Sequence, residues 1–181
     1  VVFNTQWVAE GGGQHAPRHR VVHPPVWAHE HAATPGDHIT LINLNRDKGA
    51  LIFYQLARRF PHIPFLGVTG SHGPQMIEQR LAGPNVTILP QTTNMKDDVW
   101  AKTRILLVPS VYESYGMVAV EAMASGIPVV ATPTPGLRES LGIAGIFAAR
   151  TQIASWVYHL RKLLEQRETY ESASRRCLTR S

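Results

Sequence analysis

The stretch 104–132 constrains the fold of this chain more than any other part of the sequence. Its unbroken apolar run Ile105–Val108 ends at a proline and indicates a buried strand. Residues 117–125 are rich in alanine and methionine, and they predict a helix that Gly126 ends. The apolar run 129–131 predicts a second buried strand. A strand, a loop, a helix and a strand in this order form the smallest crossover unit of a parallel sheet.

Two carboxylates, Glu113 and Glu121, lie in this stretch eight positions apart. Glu113 follows the first strand in a loop, and Glu121 lies about one turn into an otherwise apolar helix. A buried carboxylate needs a partner, because an unpaired charge away from water costs on the order of several kcal/mol. Glu121 therefore either caps a backbone group or pairs with a basic residue, or both carboxylates point into the crevice where open α/β sheets bind ligands.

The rest of the chain repeats the alternation of strands and helices. Further strands are predicted at 39–44, 63–68, 85–89 and 145–147. Further helices are predicted at 50–60, 76–82, 95–103, 153–165 and 168–178. This alternation predicts an α/β fold, Rossmann-like, with a mostly parallel sheet and helices on both faces. Because every polar cluster follows a strand, these loops share one edge of the sheet and can converge on one ligand.

The two ends of the chain are interpreted as separate from the central domain. Residues 1–30 contain a glycine run and several prolines, and we interpret them as a tail and a linker. Residues 31–165 form the predicted ligand-binding domain. Residues 166–181 form a more polar C-terminal helical tail.

Charge and composition narrow the choice of partners. The net charge is +5, but no run of five Lys or Arg and no aromatic ladder is present, so a nucleic-acid partner is not expected. An anionic small molecule remains compatible with this charge, and so does peripheral contact with an acidic membrane surface. No apolar run has the length of a membrane span, and the single Cys177 suits a reducing compartment. We therefore expect a cytoplasmic protein.

Six of the nine histidines lie between residues 15 and 38. His19 and His23 are four positions apart, but the prolines around them disfavour a helix. Neither a His-Glu-x-x-His motif nor a cysteine partner accompanies them. We therefore interpret these histidines as exposed loop residues and predict no metal site.

The segment from Glu113 to Thr132, Glu-Ser-Tyr-Gly-Met-Val-Ala-Val-Glu-Ala-Met-Ala-Ser-Gly-Ile-Pro-Val-Val-Ala-Thr, resembles a known family signature. It is similar to the Glu-x7-Glu motif of retaining glycosyltransferases of the GT-B fold, family 4 type, and the similarity continues through most of positions 38–165. Complete GT-B enzymes have two similar α/β domains, and the acceptor binds partly to the first. The resemblance implies that this chain is one half of a GT-B fold, the C-terminal donor-binding half, and that its partner is a missing N-terminal acceptor domain. It also implies a loose C-terminal tail, because the family's last helix often packs on the first domain.

The resemblance further implies roles for particular residues. Glu121 would accept hydrogen bonds from the two ribose hydroxyls of the donor, and Glu113 would contact its sugar. Lys48 would bind the donor diphosphate, and Glu113 and Lys48 are the candidate catalytic groups. The predicted donor-binding residues are Asn43, Lys48, Gly49, Gly70, Leu89, Pro90, Glu113, Tyr115, Gly116, Met117, Val118 and Glu121.

The chain departs from the family pattern at residue 43. The family's Arg-x4-Lys-Gly motif supplies two cations to the diphosphate, and Lys48-Gly49 matches its end. Asn43, however, occupies the arginine position and can donate only a neutral hydrogen bond, while Arg46 is the nearest other cation in the sequence. GT-B enzymes generally need no bound metal, and the chain has no Asp-x-Asp motif, so neither a metal nor a cofactor is expected.

The function implied by the resemblance is binding of a nucleoside diphosphate sugar, such as a UDP or GDP sugar, for a retaining, metal-independent hexosyltransferase. The isolated chain is expected to be inactive or nearly so. Two alternatives stay open. One is a non-catalytic nucleotide-binding or regulatory module of the same fold, which Asn43 favours. The other is half of a nucleotide-sugar epimerase, against which the central motif argues.

Overall fold

A computed structural model describes residues 1–12, 18–71, 73–77 and 81–180. The described strands are β1 (Val2–Phe3), β2 (Arg20–Val21), β3 (His38–Ile42), β4 (Phe65–Val68), β5 (Val86–Leu89), β6 (Thr103–Val108), β7 (Val129–Ala131) and β8 (Ile146–Phe147). The described α-helices are α1 (Gln6–Gly12), α2 (Ala28–His31), α3 (Ala50–Arg59), α4 (Met95–Asp98), α5 (Met117–Met123), α6 (Pro135–Leu141), α7 (Ile153–Glu165) and α8 (Arg167–Arg180).

The main sheet is parallel and has the strand order β5-β4-β3-β6-β7-β8. After β3 the chain adds β4 and β5 on one side, and it then returns to place β6, β7 and β8 on the other side. The connections that follow β3 and β6 therefore leave the sheet in opposite directions. Such a reversal opens a crevice at the carboxyl ends of the two strands.

Helices cover both faces of this sheet, as predicted. In β6 the side chains of Ile105 and Leu107 pack on one face, in the cluster that contains Trp156 of α7. Leu106 and Val108 pack on the opposite face with residues such as Met123 of α5. Because both faces are buried, the strand must be apolar at every position, which explains the unbroken run in the sequence.

Two predicted helices differ from the structure. The helix predicted at 95–103 is divided into α4 and a 3₁₀ turn, Trp100–Lys102, and Thr103 already begins β6. No helix is described at 73–77 or 81–83, and residues 78–80 of the predicted helix 76–82 lie outside the described residues. The backbone of Met76 is instead bound to other elements, since its N–H donates to Leu44 O at 2.7 Å and its carbonyl accepts from the Tyr54 hydroxyl at 2.5 Å.

The N-terminal segment is held against α6 by the carboxylate of Glu139. The backbone N–H groups of Gln6 and Trp7, at the start of α1, donate to this carboxylate at 2.7 and 3.2 Å. His23 Nε2 lies 2.9 Å from Glu139 Oε1. Burial raises the pKa of Glu139, but the hydrogen bonds from Gln6, His23 and Trp7 outweigh it and lower that pKa overall. The start of α1 and His23 therefore pack on the central domain rather than extending away from it.

The C-terminal helix is also packed, so the expectation of a loose tail is wrong. Ala173 and Cys177 of α8 are fully buried. The Tyr170 hydroxyl donates to Arg104 O at 3.3 Å, and the Arg104 guanidinium lies 5.0 Å from the centre of the Tyr170 ring. Two small residues and a tyrosine make up much of the inward face of α8. The packing of this helix is therefore not evident from its polar sequence.

The packing of α8 predicts an inert thiol. Burial raises the pKa of Cys177 to about 11, so almost no thiolate is present near neutral pH. Because the thiolate is the reacting species, we expect Ellman's reagent to modify Cys177 slowly in the native protein and rapidly in urea at about pH 8. The chain has a single cysteine, so the absorbance reports on this site alone. Equally fast modification with and without urea would contradict the packing of α8.

Candidate functional site

A cavity of about 670 Å³ lies at the carboxyl ends of β3 and β6, at the crevice that the reversed connections create. Its floor is formed by the strand ends, including Ile42, Val68 and Val108. Its walls come from the loops after β3, β4, β5 and β6, from the start of α5, and from the N-terminal segment. A mostly apolar cavity with a few convergent polar groups has the character of a small-molecule site.

Nine of the twelve predicted binding residues line this cavity. They are Asn43, Lys48, Gly70, Glu113, Tyr115, Gly116, Met117, Val118 and Glu121. Gly49, Leu89 and Pro90 do not line it. Gln91 and Thr92, which follow Pro90 in the same loop, form the wall there instead.

Gly49 allows two loops to pack closely on each other. It precedes α3 with a φ of 95°, a conformation that glycine adopts at little cost. A Cβ atom at this position would lie 2.4 Å from Pro109 Cγ. The absence of a side chain therefore lets the loop after β3 pack directly on the loop after β6.

Lys48 and Glu113 form an ion pair at the wall of the cavity. The ammonium of Lys48 contacts Glu113 Oε1, and the Ser110 hydroxyl donates to the same oxygen at 2.9 Å. The two side chains are 26% and 13% exposed, so the pair is partly withdrawn from water. The backbone N–H of Lys48 donates to Asn45 Oδ1 at 2.7 Å, which fixes the start of the lysine side chain. In this state each charge neutralises the other, and an anionic ligand has to compete with Glu113 for Lys48.

Asn43 belongs to a network of neutral amides. Its φ of 67° is in the left-handed region, which asparagine tolerates better than most residues. Its Oδ1 accepts from Asn45 Nδ2 at 3.1 Å and from Gln75 Nε2 at 2.8 Å. Gln75 Oε1 in turn accepts from the Gly70 N–H at 3.0 Å. With Oδ1 used in this way, the side-chain amide Nδ2 of Asn43 is the group that can donate to a ligand.

Arg46 does not take the place of the arginine that the family has at position 43. Its side chain is exposed and does not line the cavity. Among the described lining residues, the charged side chains are Lys48, Glu113 and Glu121.

Glu121 is a largely buried carboxylate that lacks a hydrogen bond to the described residues. Its side chain is 15% exposed, and the nearest ionisable partner is His31, whose Nδ1 lies 4.0 Å from Oε2. Burial raises the pKa of Glu121, and His31 lowers it by a smaller amount. The carboxylate neither caps a described backbone group nor contacts a cation at hydrogen-bond distance. Its acceptor capacity is therefore available to a ligand with hydroxyl groups.

The first turn of α5 is also open to a ligand. Gly116 precedes the helix with a φ of 85°, and no side chain caps the helix. The first N–H groups of a helix have no intrahelical acceptor, and Gly116, Met117 and Val118 line the cavity. Behind this turn, a Cβ atom on Gly136 would lie 2.3 Å from Glu113 O, so α6 packs closely on the loop that carries Glu113.

Several cavity residues were not predicted from the sequence. Asn4 and Pro24 line the cavity, although they lie in the segment interpreted as tail and linker. Asn4 Nδ2 donates to Ser114 Oγ at 2.9 Å, and the Trp7 ring lies 5.6 Å from the ring of Tyr112, another lining residue. No local pattern could identify Asn4, because its partner is 110 positions away in the chain.

His19, His23 and His29 are exposed as predicted, whereas His31 and His38 are partly buried. His23 contacts Glu139, and the side chains of His31 and His38 are only 22% and 23% exposed. His15 and His72 lie outside the described residues. The described part of the chain contains no group of three or more His, Cys, Asp or Glu side chains placed to hold a metal ion. Among the described helices, none is long and apolar enough to cross a membrane.

The structure is similar to glycosyltransferases that have been solved. HepE of Anabaena in complex with UDP-glucose superposes with a TM-score of 0.84 at 18% identity, over 99% of this chain and 57% of that chain. Sucrose-phosphate synthase of Thermosynechococcus elongatus gives 0.81 at 19% identity, over 99% and 52%. At these identities the likeness shows the fold, and it confirms the Rossmann-like class predicted above. The chain spans about half the length of these two proteins.

Sequence comparison shows the family. D-inositol 3-phosphate glycosyltransferase of Geodermatophilus obscurus is 32% identical over 115 residues, which are 60% of this chain and 26% of that protein. O-antigen chain mannosyltransferase B of Escherichia coli is 31% identical over 83 residues, which are 46% and 22%. The model of the family described as glycosyl transferases group 1 matches residues 44–166, which is more than half of the chain. The chain therefore belongs to the group 1 glycosyltransferases.

Proposed function

We propose that this chain is the donor-binding part of a retaining, metal-independent glycosyltransferase, and that its crevice holds a nucleoside diphosphate sugar. The observation that carries the proposal is the Glu121 carboxylate, which is largely buried in the cavity wall and has no described hydrogen-bond partner. Two adjacent ribose hydroxyls match the two oxygens of a carboxylate. HepE, whose fold is similar, has been solved with UDP-glucose, which supports a UDP or GDP sugar as the ligand.

The remaining cavity groups suit the rest of such a donor. Lys48 would leave Glu113 and bind the diphosphate, together with the free N–H groups at the start of α5. Glu113, which keeps its bond from Ser110, would then accept hydrogen bonds from the sugar. In the transfer, the bond between the sugar C1 and the phosphate oxygen breaks with its electron pair leaving on the diphosphate. The acceptor oxygen bonds to C1 and passes its proton to the departing phosphate oxygen, and Lys48 stabilises the charge of the leaving diphosphate.

The acceptor would bind to a further domain that this chain does not contain. The chain corresponds to about half of the similar solved structures. Residues 31–165 would therefore bind the donor and not the acceptor. Residues 1–30 would then be the end of the acceptor domain and the linker. We expect the isolated chain to bind donor but to transfer no sugar at a measurable rate. A cytoplasmic location, with contact to a membrane surface, stays a prediction from the sequence.

A second function, a nucleotide-binding or regulatory module without catalysis, is favoured by the charge of the cavity. The described lining carries two carboxylates and one ammonium, and the amide of Asn43 replaces a guanidinium. A diphosphate in such a cavity meets less positive charge than the family motif provides. No observation on the described residues favours the epimerase hypothesis.

The first test is calorimetric titration of UDP, GDP, ADP and their sugars against the wild type and Glu121→Ala. Loss of two hydrogen bonds to a charged acceptor should weaken binding about tenfold to a hundredfold. Glu171→Gln is the control, because Glu171 pairs with Arg167 on the exposed side of α8. Unchanged affinity in Glu121→Ala would contradict the assigned ribose site. A wild-type chain that binds none of these nucleotides would favour the regulatory module.

The second test is the pH dependence of binding. The ionised carboxylate of Glu121 is the better hydroxyl acceptor, and burial raises its pKa above that of an ordinary glutamate. Affinity should therefore be highest near neutral pH and should fall as the pH drops through this raised pKa. Titrations between about pH 8 and about pH 5 measure the effect, and Glu121→Gln should remove this dependence. Affinity that rises on acidification would contradict an ionised acceptor.

The third test separates the diphosphate from the nucleoside. Lys48→Ala should weaken the binding of a nucleoside diphosphate about tenfold, because a charge-assisted contact is lost. The affinity for the matching nucleoside should stay unchanged, since Lys48 would not contact it. Lys102→Ala is the control, as Lys102 is exposed in the 3₁₀ turn before β6. Equal losses for the nucleoside and the diphosphate would show that Lys48 acts only through the fold of its loop.

A further inference from the structure

Arg150 lies outside the cavity, just after β8, and its guanidinium binds three backbone carbonyls. Its Nη2 donates to Arg46 O at 2.6 Å. Its Nη1 donates to Asp47 O at 3.0 Å and also to Pro109 O. Arg46 and Asp47 belong to the loop after β3, and Pro109 begins the loop after β6. One side chain therefore connects the two loops that flank the crevice.

Two further contacts join the same loops. The Val111 N–H donates to Asp47 O at 2.8 Å, so Asp47 O accepts from both Val111 and Arg150. Gly49 packs against Pro109, where even a methyl group would be too large. Among these three contacts only that of Arg150 is charge-assisted, and hydrogen bonds from a charged donor are roughly twice as strong as neutral ones. Besides the Lys48–Glu113 ion pair itself, Arg150 thus provides the charge-assisted contacts between the two loops, and it makes them to the backbone of both.

The position of these loops decides the geometry of the candidate catalytic pair. Lys48 directly follows Asp47, and Glu113 lies two positions after Val111. The loops leave the sheet in opposite directions after β3 and β6, so the sheet itself does not hold their tips together. A displacement of about 1 Å is enough to impair a binding or catalytic contact. The contacts between the loops therefore set the distance from Lys48 to Glu113.

We propose that Arg150 is a positioning residue: by binding the carbonyls of Arg46, Asp47 and Pro109, it fixes Lys48 and Glu113 for the diphosphate and sugar of the donor. It acts through the backbone of the two loops and does not touch the ligand. The ligand part of this inference rests on the proposed function, whereas the fixing of the loops does not.

Arginine suits this role better than lysine does. The guanidinium is planar, and its donors point in fixed directions, so it can bind carbonyls of two separate loops at once. A lysine ammonium carries the same charge but lacks this fork. Arg150→Lys should therefore keep only part of the effect, while Arg150→Ala removes it. This difference distinguishes the geometry of the donors from the mere presence of a positive charge.

Hydrogen–deuterium exchange tests the loops without any ligand. In Arg150→Ala, peptides covering 45–49 and 109–113 should exchange faster than in the wild type, while peptides of the sheet centre should not change. Arg180→Ala is the matched control, because Arg180 also donates to two backbone carbonyls, those of Glu139 and Ser140 in α6, and to none in the two loops. Wild-type exchange at both loops would overturn the proposal.

Calorimetry tests the consequence for binding. For a nucleoside diphosphate, Arg150→Ala should bind about tenfold more weakly than the wild type, Arg150→Lys should be intermediate, and Arg180→Ala should stay within about twofold. The affinity for the nucleoside should not change, because Glu121 lies on α5 and not on these loops. Equal losses for nucleoside and diphosphate, or an equal loss in Arg180→Ala, would overturn the proposal.

Hydrogen–deuterium exchange and calorimetry together distinguish a failure of the Arg150 proposal from a failure of the proposed function. A wild-type protein that binds no nucleotide would contradict the proposed function, whereas exchange at the two loops would still decide the role of Arg150. If Arg150→Ala does not fold, Arg150→Lys takes its place, with the same changes expected at lower amplitude. Wild-type exchange and affinity in Arg150→Lys would then overturn the proposal.

Discussion

The reversal of chain direction between β3 and β6 is the constraint on which the rest of this structure depends. Two adjacent parallel strands whose connections leave to opposite sides cannot close the space above their carboxyl ends. The cavity lies at this place, and four post-strand loops reach it. Because the two loops that follow β3 and β6 diverge, other contacts must bring their tips together. Gly49, Val111 and Arg150 provide these contacts, and the ion pair of the site depends on them.

The electrostatics of the cavity follow from this arrangement. Lys48 and Glu113 neutralise each other, so the site without a ligand carries little uncompensated charge near the sheet edge. Glu121 is different, because burial raises its pKa and the imidazole of His31, the nearest ionisable group, lies 4.0 Å from the carboxylate. A ligand that offers hydroxyls to Glu121 and an anion to Lys48 would satisfy both sites at once. Because Asn43 carries no positive charge, an anion at Lys48 would be bound more weakly here than by the two cations of the family motif. The affinity for a diphosphate therefore distinguishes a donor site from a site that has lost its donor.

Much of the fold was predictable from local patterns. The runs at Ile105–Val108 and 129–131 are apolar at every position because both faces of the sheet are covered, and this signal is independent of distant residues. The strand predicted at 39–44 ends earlier, at Ile42, because Asn43 adopts a positive φ that its side-chain chemistry permits but does not require. The loose tail was predicted from the resemblance, because the family's last helix often packs on the first domain, whereas small residues such as Ala173 and Cys177 let α8 pack closely on this chain.

The sequence by itself determined the alternation of strands and helices, the loops at one edge of the sheet, and the two carboxylates of the central stretch. These features are encoded locally, by the period of apolar residues and by the positions of glycine and proline. Only the tertiary structure decided that Gly49 serves a contact between loops, that Asn4 reaches the cavity, and that Arg150 binds the backbone on both sides of the crevice. The physical reason is that these contacts join residues many positions apart, and the direction of the crossovers, not any local pattern, brings such residues together.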